Sequence, residues 1–263
     1  MDKLTIIKIG GNVIDDAEKL AIFLQAFADI EGYKILVHGG GKMATKLAVD
    51  MGIESKITDG RRITDIETLR IVTMVYAGLI SKNLVAQLQM FGCNALGLCG
   101  ADGNLIKAKK RPIKEIDFGF VGDLDEKSIE IENLNKLLEA DFIPVFSAIT
   151  HDGNSQLLNT NADTIASVIA VAMSNKYETS LVYCFEKKGV LIDVNEEHSV
   201  IKEINPMAYE NLKSEGILTD GMLPKLQNAF DAIEKGVKEV YIGKADDLNS
   251  FIFGQSFGTR LIK

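Results

Sequence analysis

The stretch Lys34-Ile35-Leu36-Val37-His38-Gly39-Gly40-Gly41-Lys42-Met43-Ala44 predicts a buried parallel strand, a bare glycine turn and the start of a helix. A strand that enters a helix through glycines brings unpaired backbone N–H groups and the positive end of a helix dipole to one point. That point favours an anion such as phosphate. A tight strand-to-helix connection without a ligand is the alternative, and this stretch alone does not decide between the two.

A second strand that ends in glycines favours the ligand-binding interpretation. Lys8-Ile9-Gly10-Gly11 ends the first predicted strand, Leu4 to Ile9, and two glycine-terminated strands can converge on one ligand. Lys8 lies between two isoleucines, where a buried lysine is costly without an anionic partner. The alternative is a lysine whose ammonium reaches solvent from the end of the strand.

Composition restricts the class of protein. The chain has 263 residues, of which 46% are hydrophobic, as is ordinary for a globular protein. Its formal net charge of −8 argues against a nucleic-acid partner. Its three cysteines form no C-x-x-C pair, so neither a disulfide framework nor a zinc site is indicated. No run of about 20 apolar residues is evident, and strand residues begin by Leu4, with no room for a leader. We therefore expect a cytoplasmic protein without a membrane partner.

Strands alternate with helices along the chain, which predicts an α/β fold with a largely parallel sheet. Two predicted segments interrupt the alternation of strands and helices. A hairpin is predicted around Asp59-Gly60, and the stretches Leu105 to Lys110 and Phe118 to Gly122 predict an antiparallel pair. The run from Met173 to Lys176 is the best boundary between two lobes, 1–176 and 177–263.

Three charged positions have both a structural and a functional interpretation. Asn161 is a candidate N-cap, which leaves Asp163 in a first helical turn, where the helix dipole favours a carboxylate. Lys225 also lies in a predicted first turn, where the dipole disfavours a cation by only a few tenths of a kcal/mol. Arg62 on the hairpin is either a solvated charge or a clamp for a carboxylate.

Six motifs in register resemble the amino acid kinase family and, within it, the kinases of N-acylglutamates. They run from residue 3 to residue 260, and the two most specific are Asn-x-Asn-Ala-Asp and Thr-Asp-Gly-Met. The six are Lys8-Ile9-Gly10-Gly11, His38-Gly39-Gly40-Gly41, Gly60-Arg61-Arg62-Ile63-Thr64, Asn159-Thr160-Asn161-Ala162-Asp163, Thr219-Asp220-Gly221-Met222 with Lys225, and Gly258-Thr259-Arg260.

The resemblance implies a three-layer αβα sandwich of the carbamate kinase-like type, with a mainly parallel central sheet and two lobes. Residues 1–176 would bind the acylamino acid and form the dimer, and residues 177–263 would bind ATP. Lys8 and Lys225 would contact the transferring phosphoryl group from opposite sides, and Asp163 would hold both lysines in place.

The resemblance also assigns the binding residues. Arg62 would clamp the substrate α-carboxylate, and the other acceptor ligands would be Gly40, Gly41, Asn159 and Asn161. The ATP phosphates would be bound at Gly10, Gly11 and Gly189. No protein ligand for a metal is expected, because Mg²⁺ would be held mainly by phosphates and water.

The activity implied is ATP-dependent phosphorylation of the γ-carboxylate of an N-acyl-L-glutamate, acetyl or succinyl, as a step towards arginine. A carboxylate is already ionised at pH 7, so no general base is needed and no histidine need be catalytic. The chain lacks the G-x-x-x-x-G-K-[ST] loop of ordinary NTPases. The alternatives are a family kinase for aspartate, glutamate, carbamate or a nucleoside monophosphate, and a non-catalytic sensor of nucleotide or amino acid.

Two departures from the family pattern matter. Phe185-Glu186-Lys187-Lys188-Gly189 stands where relatives carry Ser/Thr-Asp-x-x-Gly, which leaves the nucleotide contacts there open. Arginine-inhibited relatives carry an additional N-terminal helix, whereas this sequence starts on a strand. We therefore expect a homodimer insensitive to millimolar arginine. The helix from Ile66 to Tyr76 is its candidate contact, although it can equally pack on the chain's own sheet.

Overall fold

The computed structural model describes residues 1–58, 61–193, 195–218 and 222–263. The turn predicted at Asp59-Gly60 and the Thr219-Asp220-Gly221 part of the fifth motif lie outside the described residues.

The secondary structure alternates between strands and helices, as the sequence predicts. The strands are β1 (Lys3–Ile9), β2 (Tyr33–His38), β3 (Ile57–Thr58), β4 (Arg61–Arg62), β5 (Ala95–Leu98), β6 (Lys109–Lys110), β7 (Val121–Asp123), β8 (Ile143–Ser147), β9 (Ile149–His151), β10 (Leu157–Thr160), β11 (Glu178–Phe185), β12 (Glu203–Ile204), β13 (Glu239–Lys244) and β14 (Thr259–Leu261). The α-helices are α1 (Gly11–Ile14), α2 (Ala17–Ala28), α3 (Gly41–Asp50), α4 (Ile66–Thr73), α5 (Ser81–Met90), α6 (Ile131–Glu139), α7 (Ala162–Met173), α8 (Pro206–Ser214), α9 (Leu223–Glu234) and α10 (Leu248–Ile252).

One eight-stranded sheet organises the fold, in the spatial order β12-β14-β13-β11-β1-β2-β8-β5. All neighbouring strands in it are parallel except β13 and β14. The register places Ile9 opposite both His38 and Cys184, so the carboxyl ends of β1, β2 and β11 meet at one edge. The predicted mainly parallel sheet is confirmed, and its edge is where open α/β sheets bind ligands.

Helices cover both faces of this sheet. Every residue of β1 after Lys3 is buried, which requires packing on both sides of a strand whose side chains alternate. Helix α7 packs on β1, β2 and β11 and against α9, while α2 packs with α5 and α10. The arrangement is the three-layer sandwich that the resemblance implies.

The sheet divides into halves that match the predicted lobe boundary. Strands β5, β8, β2 and β1 precede residue 176 and lie side by side, and β11, β13, β14 and β12 follow it. The two sets meet where β1 pairs with β11. The division into lobes at 176 stays a prediction.

A second sheet, in the order β6-β7-β10-β9, is formed by the polar excursion and the strand before α7. Its β6 and β7 are antiparallel, which confirms the pair predicted there, although both strands are shorter than predicted. The predicted hairpin is also present, with Ile57 opposite Arg62 and Thr58 opposite Arg61.

The helical run from Ile66 to Met90 is 25 residues long and, by length and composition alone, apolar enough to cross a bilayer. Inspection of apolar runs in the sequence missed it, because Glu67, Arg70 and Lys82 interrupt the pattern. In the fold, its apolar side chains pack in the core: Leu69, Ile71, Val72, Val75, Ile80, Leu84 and Leu88 are all buried. Around Gly78 the run continues as a π-helical segment, Met74–Ile80.

Candidate active site

Lys8 and Asp163 form an ion pair at the ligand edge of the sheet. Lys8 lies next to the last residue of β1 and is buried, and Asp163 lies in the first turn of α7, whose N-cap is Asn161. The Lys8 Nζ to Asp163 Oδ1 distance is 2.8 Å, although no hydrogen bond to Oδ1 has good geometry. The anionic partner that the burial of Lys8 requires is therefore Asp163, which agrees with the functional interpretation of both residues.

Lys225, in the first turn of α9, is the second cation at this edge. Its Nζ lies 3.9 Å from the centroid of the Phe185 ring, and the Lys8 Nζ lies 5.1 Å from the same centroid. Burial lowers the pKa of Lys225, Asp163 opposes this shift, and the positive charge of Lys8 adds to it. The two lysines thus influence one another, and Phe185 and Asp163 connect them.

An open cleft of 450 Å³ adjoins these lysines. Four glycines from three parts of the chain line it together with Lys225, and they are Gly10, Gly11, Gly41 and Gly189. The structure therefore brings together the predicted phosphate-binding glycines and one predicted catalytic lysine. Lys42, Lys187 and one carboxylate, Glu186, also line this cleft, so its lysines outnumber its carboxylates and its charge suits an anionic ligand.

The glycine turn between β2 and α3 is sterically determined. Gly40 is the N-cap residue of α3, with φ 153°, and a Cβ built on it would lie 2.1 Å from Ile80 Cδ1. The ring of Tyr76 and the side chain of Ile80 therefore require glycine at position 40. The long helix of which they are part thereby fixes the position of the α3 N-terminus.

Arg62 is directed towards the same turn. Its Nη2 donates to the carbonyl oxygen of Gly41 at 2.9 Å and to Thr45 Oγ1 at 2.7 Å, and its Nη1 donates to Ser55 Oγ at 2.8 Å. A guanidinium has five N–H donors. These three acceptors, all among the described residues, engage both N–H groups of Nη2 and one of Nη1. Arg62 is therefore held in place rather than solvated, and its role as a clamp for a carboxylate stays a prediction.

Asn159 connects the second sheet to the Arg62 hairpin. Its Nδ2 donates to Thr64 Oγ1 at 3.0 Å, and that hydroxyl donates to the carbonyl oxygen of Arg62 at 3.1 Å. Asn161 instead accepts a hydrogen bond from Thr164 N through Oδ1, which confirms the predicted cap. The structure thus brings Asn159 to Arg62 and gives the oxygen of Asn161 a structural partner.

Gly189 has a packing role beside its place in the cleft. A Cβ on Gly189 would lie 2.7 Å from Thr259 Oγ1, and this hydroxyl accepts a hydrogen bond from Val190 N. The Phe185–Gly189 loop is therefore fastened to β14, and the glycine allows the close approach.

His38 is fully buried at the end of β2, and its Nδ1 lies 2.9 Å from the carbonyl oxygen of Gly39. Burial lowers the pKa of His38 to about 4, so the imidazole is neutral at pH 7. Within the described ranges, no group of three or more His, Cys, Asp or Glu residues could hold a metal ion.

Sequence inspection missed the residues that hold the predicted ones. Thr45 is the clearest case, since it lies one turn after Gly41 on the helix that the glycine motif already predicted. Ser55 and Thr64 act on Arg62 and Asn159 through tertiary contacts, for which local sequence carries no signal. Phe185 was noticed only as a departure from the family pattern.

The fold and the phosphate-suited cleft define a class of protein. The family model for the amino acid kinase family matches residues 3–244, and the chain belongs to this family. Curated relatives named acetylglutamate kinase are similar to this chain over its full length, and two of them illustrate this. The one from Cytophaga hutchinsonii is 53% identical over 264 residues, which is 100% of this chain and 99% of the relative. The one from Parabacteroides distasonis is 51% identical over 261 residues, 99% of this chain and 100% of the relative. The resemblance read from the six motifs is confirmed.

Solved structures share the fold at low sequence identity. Carbamate kinase from Giardia lamblia bound to AMP-PNP superposes with a TM-score of 0.72 at 15% identity, over 99% of this chain and 98% of that one. N-acetylglutamate synthase from Neisseria gonorrhoeae, complexed with coenzyme A and N-acetyl-glutamate, gives 0.83 at 19% identity, and this chain spans 59% of its length. These similarities confirm the predicted carbamate kinase-like fold.

Proposed function

We propose that this chain transfers the γ-phosphoryl group of ATP to the γ-carboxylate of N-acetyl-L-glutamate, giving an acyl phosphate and ADP, as a step towards arginine. Relatives named acetylglutamate kinase, more than 50% identical over the full chain, support the choice of acceptor. Membership of the amino acid kinase family supports the use of ATP.

The observation that carries the proposal is the cluster of Lys8, Asp163 and Lys225 at the carboxyl edge of the sheet. Two cations at one point are unfavourable in a protein that only binds an amino acid. They suit a reaction in which an anion approaches a polyphosphate, because such transfers depend on positioning and on stabilising charge. This is our reason for rejecting a non-catalytic sensor.

The chemistry needs little else from the protein. A γ-carboxylate oxygen attacks the γ-phosphorus, the bond to the β,γ-bridging oxygen breaks, and ADP leaves with that electron pair. No proton is removed, because the carboxylate is ionised at pH 7. Lys8 and Lys225 stabilise the charge on the transferring group from opposite sides, and Asp163 keeps Lys8 oriented.

The substrates are assigned to neighbouring regions. The cleft lined by Gly10, Gly11, Gly189 and Lys225 fits a polyphosphate, because it offers backbone amides and cations. Mg²⁺ would be held mainly by the phosphates and by water. Arg62, Asn159 and the turn at Gly40 and Gly41 form the acceptor side, where the positive charge of Arg62 would attract the α-carboxylate.

The test is ATP-dependent ADP formation with a panel of acceptors. We expect N-acetyl-L-glutamate to give the highest kcat/KM, above N-succinyl-L-glutamate, glutamate, aspartate, carbamate and nucleoside monophosphates. A higher kcat/KM for the succinyl compound would keep the reaction and change the acyl group. Turnover of only a non-acylated acceptor, or of none, would refute the proposal.

We also propose that the enzyme is a cytoplasmic homodimer. The free thiols of Cys93, Cys99 and Cys184 suit a reducing compartment. In the predicted contact helix, Leu69, Val72 and Tyr76 are buried in the chain's own core. The apolar contact for a second copy would instead be Met74 and Leu79, which are about half-exposed on the long helix. Light scattering should give the mass of a dimer, unchanged by millimolar arginine, and activity should not fall. A hexamer, or inhibition by micromolar arginine, would contradict this.

A further inference from the structure

An aromatic ring lies where the two lysines converge. Phe185 is the last residue of β11, and its ring centroid lies 3.9 Å from Lys225 Nζ and 5.1 Å from Lys8 Nζ. Both distances are within the ~6 Å over which the face of a ring attracts a cation. We propose that Phe185 is a positioning residue whose ring holds the ammonium groups of Lys8 and Lys225 at the reacting phosphoryl group. This inference rests on the proposed function.

The strands place the ring beside Lys8. In the parallel pairing of β1 with β11, Lys8 is opposite Tyr183, so both side chains lie on the same face of the sheet. Phe185 follows Tyr183 by two residues and returns to that face. The two rings are stacked with centroids 6.0 Å apart and planes 17° apart. The position of the Phe185 ring is thus set by the central sheet.

Tyr183 connects this aromatic pair to α7. Its hydroxyl donates to the backbone carbonyl oxygen of Asp163 at 3.2 Å, and the Asp163 side chain pairs with Lys8. Phe185 itself is half-buried and packs against the core. Through Tyr183, the Phe185 ring is therefore supported by α7, the helix that carries Asp163. This support fixes the position of the ring beside the two lysines.

An uncharged ring suits position 185 because the neighbouring side chains of Lys8, Lys225 and Asp163 are already charged. Lys8 and Lys225 repel each other, and Asp163 pairs with Lys8. A further carboxylate close to both lysines would weaken their attraction for the phosphoryl group. The face of a phenylalanine ring attracts both ammoniums and leaves their full charge available to the substrate.

The kinetic test uses Phe185→Leu, which keeps an apolar side chain and removes the ring, and Phe185→Tyr, which restores a ring. We expect Phe185→Leu to lower kcat about tenfold, because the loss of one desolvated cation–ring contact has a free energy that corresponds to about this factor. The KM for N-acetyl-L-glutamate should stay within about twofold, because the acceptor side is untouched. Phe185→Tyr should retain most of the wild-type kcat. Phe253→Leu, at a phenylalanine that is 72% exposed, is the control and should behave as wild type.

A second readout does not depend on turnover. In protein labelled with ¹³C at the lysine Cε positions, the ring should displace the Lys225 signal by its ring current. Lys225→Arg assigns that signal. We expect the displacement in wild type and in Phe185→Tyr, and its loss in Phe185→Leu. Urea unfolding of each variant, followed by circular dichroism, checks that the fold is retained.

The outcomes separate this inference from the proposed function. A wild-type protein that turns over no acylglutamate refutes the function, and the Lys225 signal then still decides whether the ring holds the lysine. A wild-type kcat in Phe185→Leu refutes the positioning role, and so does a Phe185→Tyr variant as impaired as Phe185→Leu. An undisplaced Lys225 signal in wild type would also overturn it.

Discussion

Replacement of Lys225 by alanine should lower kcat for N-acetyl-L-glutamate on the order of 100-fold or more, with little change in the acceptor KM. The reason is the position of Lys225, which lines the proposed nucleotide cleft and shares the Phe185 ring with Lys8. Its charge acts mainly on the transferring phosphoryl group, so the loss appears in the chemical step. Steady-state kinetics with both substrates varied would measure it.

Lys8→Ala should give a loss of the same order, and for a further reason. Its removal leaves Asp163 without its cation in a largely buried site, so a negative charge remains where an anion must react. Lys238→Ala is the matched control, because Lys238 is an exposed lysine paired with Glu178 on the surface. If Lys225→Ala keeps a near-normal kcat while Lys238→Ala does too, the assigned phosphoryl site is wrong.

The second large effect is expected at the acceptor. Arg62→Lys should raise the KM for N-acetyl-L-glutamate about tenfold or more, because a lysine lacks the planar fork that binds a carboxylate with two hydrogen bonds. The three N–H donors of a lysine also lie on a single nitrogen, so they cannot replace the bonds to Gly41, Thr45 and Ser55 and bind a carboxylate as well. The KM for ATP should barely change.

The neighbouring arginine provides the control for this experiment. Arg61 lies on the same strand but is exposed. Arg61→Lys therefore removes the same guanidinium group outside the proposed acceptor site. We expect its KM for the acylglutamate to stay within about twofold of wild type. An equal rise in KM for both substrates in Arg62→Lys would mean that Arg62 is assigned to the wrong site.

The central sheet was predictable because its strands are short apolar runs that end in glycine. Leu4 to Ile9 and Lys34 to His38 carry both signals, and both are strands with the predicted ends to within a residue or two. A turn or an edge strand carries a weaker signal. The apolar run Val190 to Ile192 forms only a bridge, Leu191 with Val200, and the Val190 N–H bonds to the side chain of Thr259.

Helix starts were predictable only where a side chain caps them. Asn161 caps α7 as predicted, because an asparagine before an apolar run is a local signal. The sequence from Ser128 to Glu139 predicts a helix over that whole range, but the helix begins at Ile131. Ser128 donates through its backbone N–H to the carbonyl oxygen of Asp125, and its hydroxyl accepts a hydrogen bond from Asp125 N. These bonds form a turn that competes with the helix.

Within the candidate site, the charged residues were predictable and their supports were not. Lys8 stands out because a lysine is unusual in an apolar strand, and Asp163 stands out because it ends the specific Asn-x-Asn-Ala-Asp motif. That they meet at 2.8 Å follows from the pairing of distant segments. The contact of Phe185 with Lys8 likewise depends on the register of β1 with β11. A single sequence does not encode that register in any local pattern.

The most direct test of the central claim is to trap the product. The purified protein is incubated with ATP, Mg²⁺, N-acetyl-L-glutamate and hydroxylamine, which converts an acyl phosphate into a stable hydroxamate and releases phosphate. We predict that N-acetylglutamate γ-hydroxamate forms in a one-to-one ratio with ADP, and that Lys225→Ala forms almost none. ADP release without hydroxamate, or hydroxamate only from an acceptor without an N-acyl group, would contradict the account.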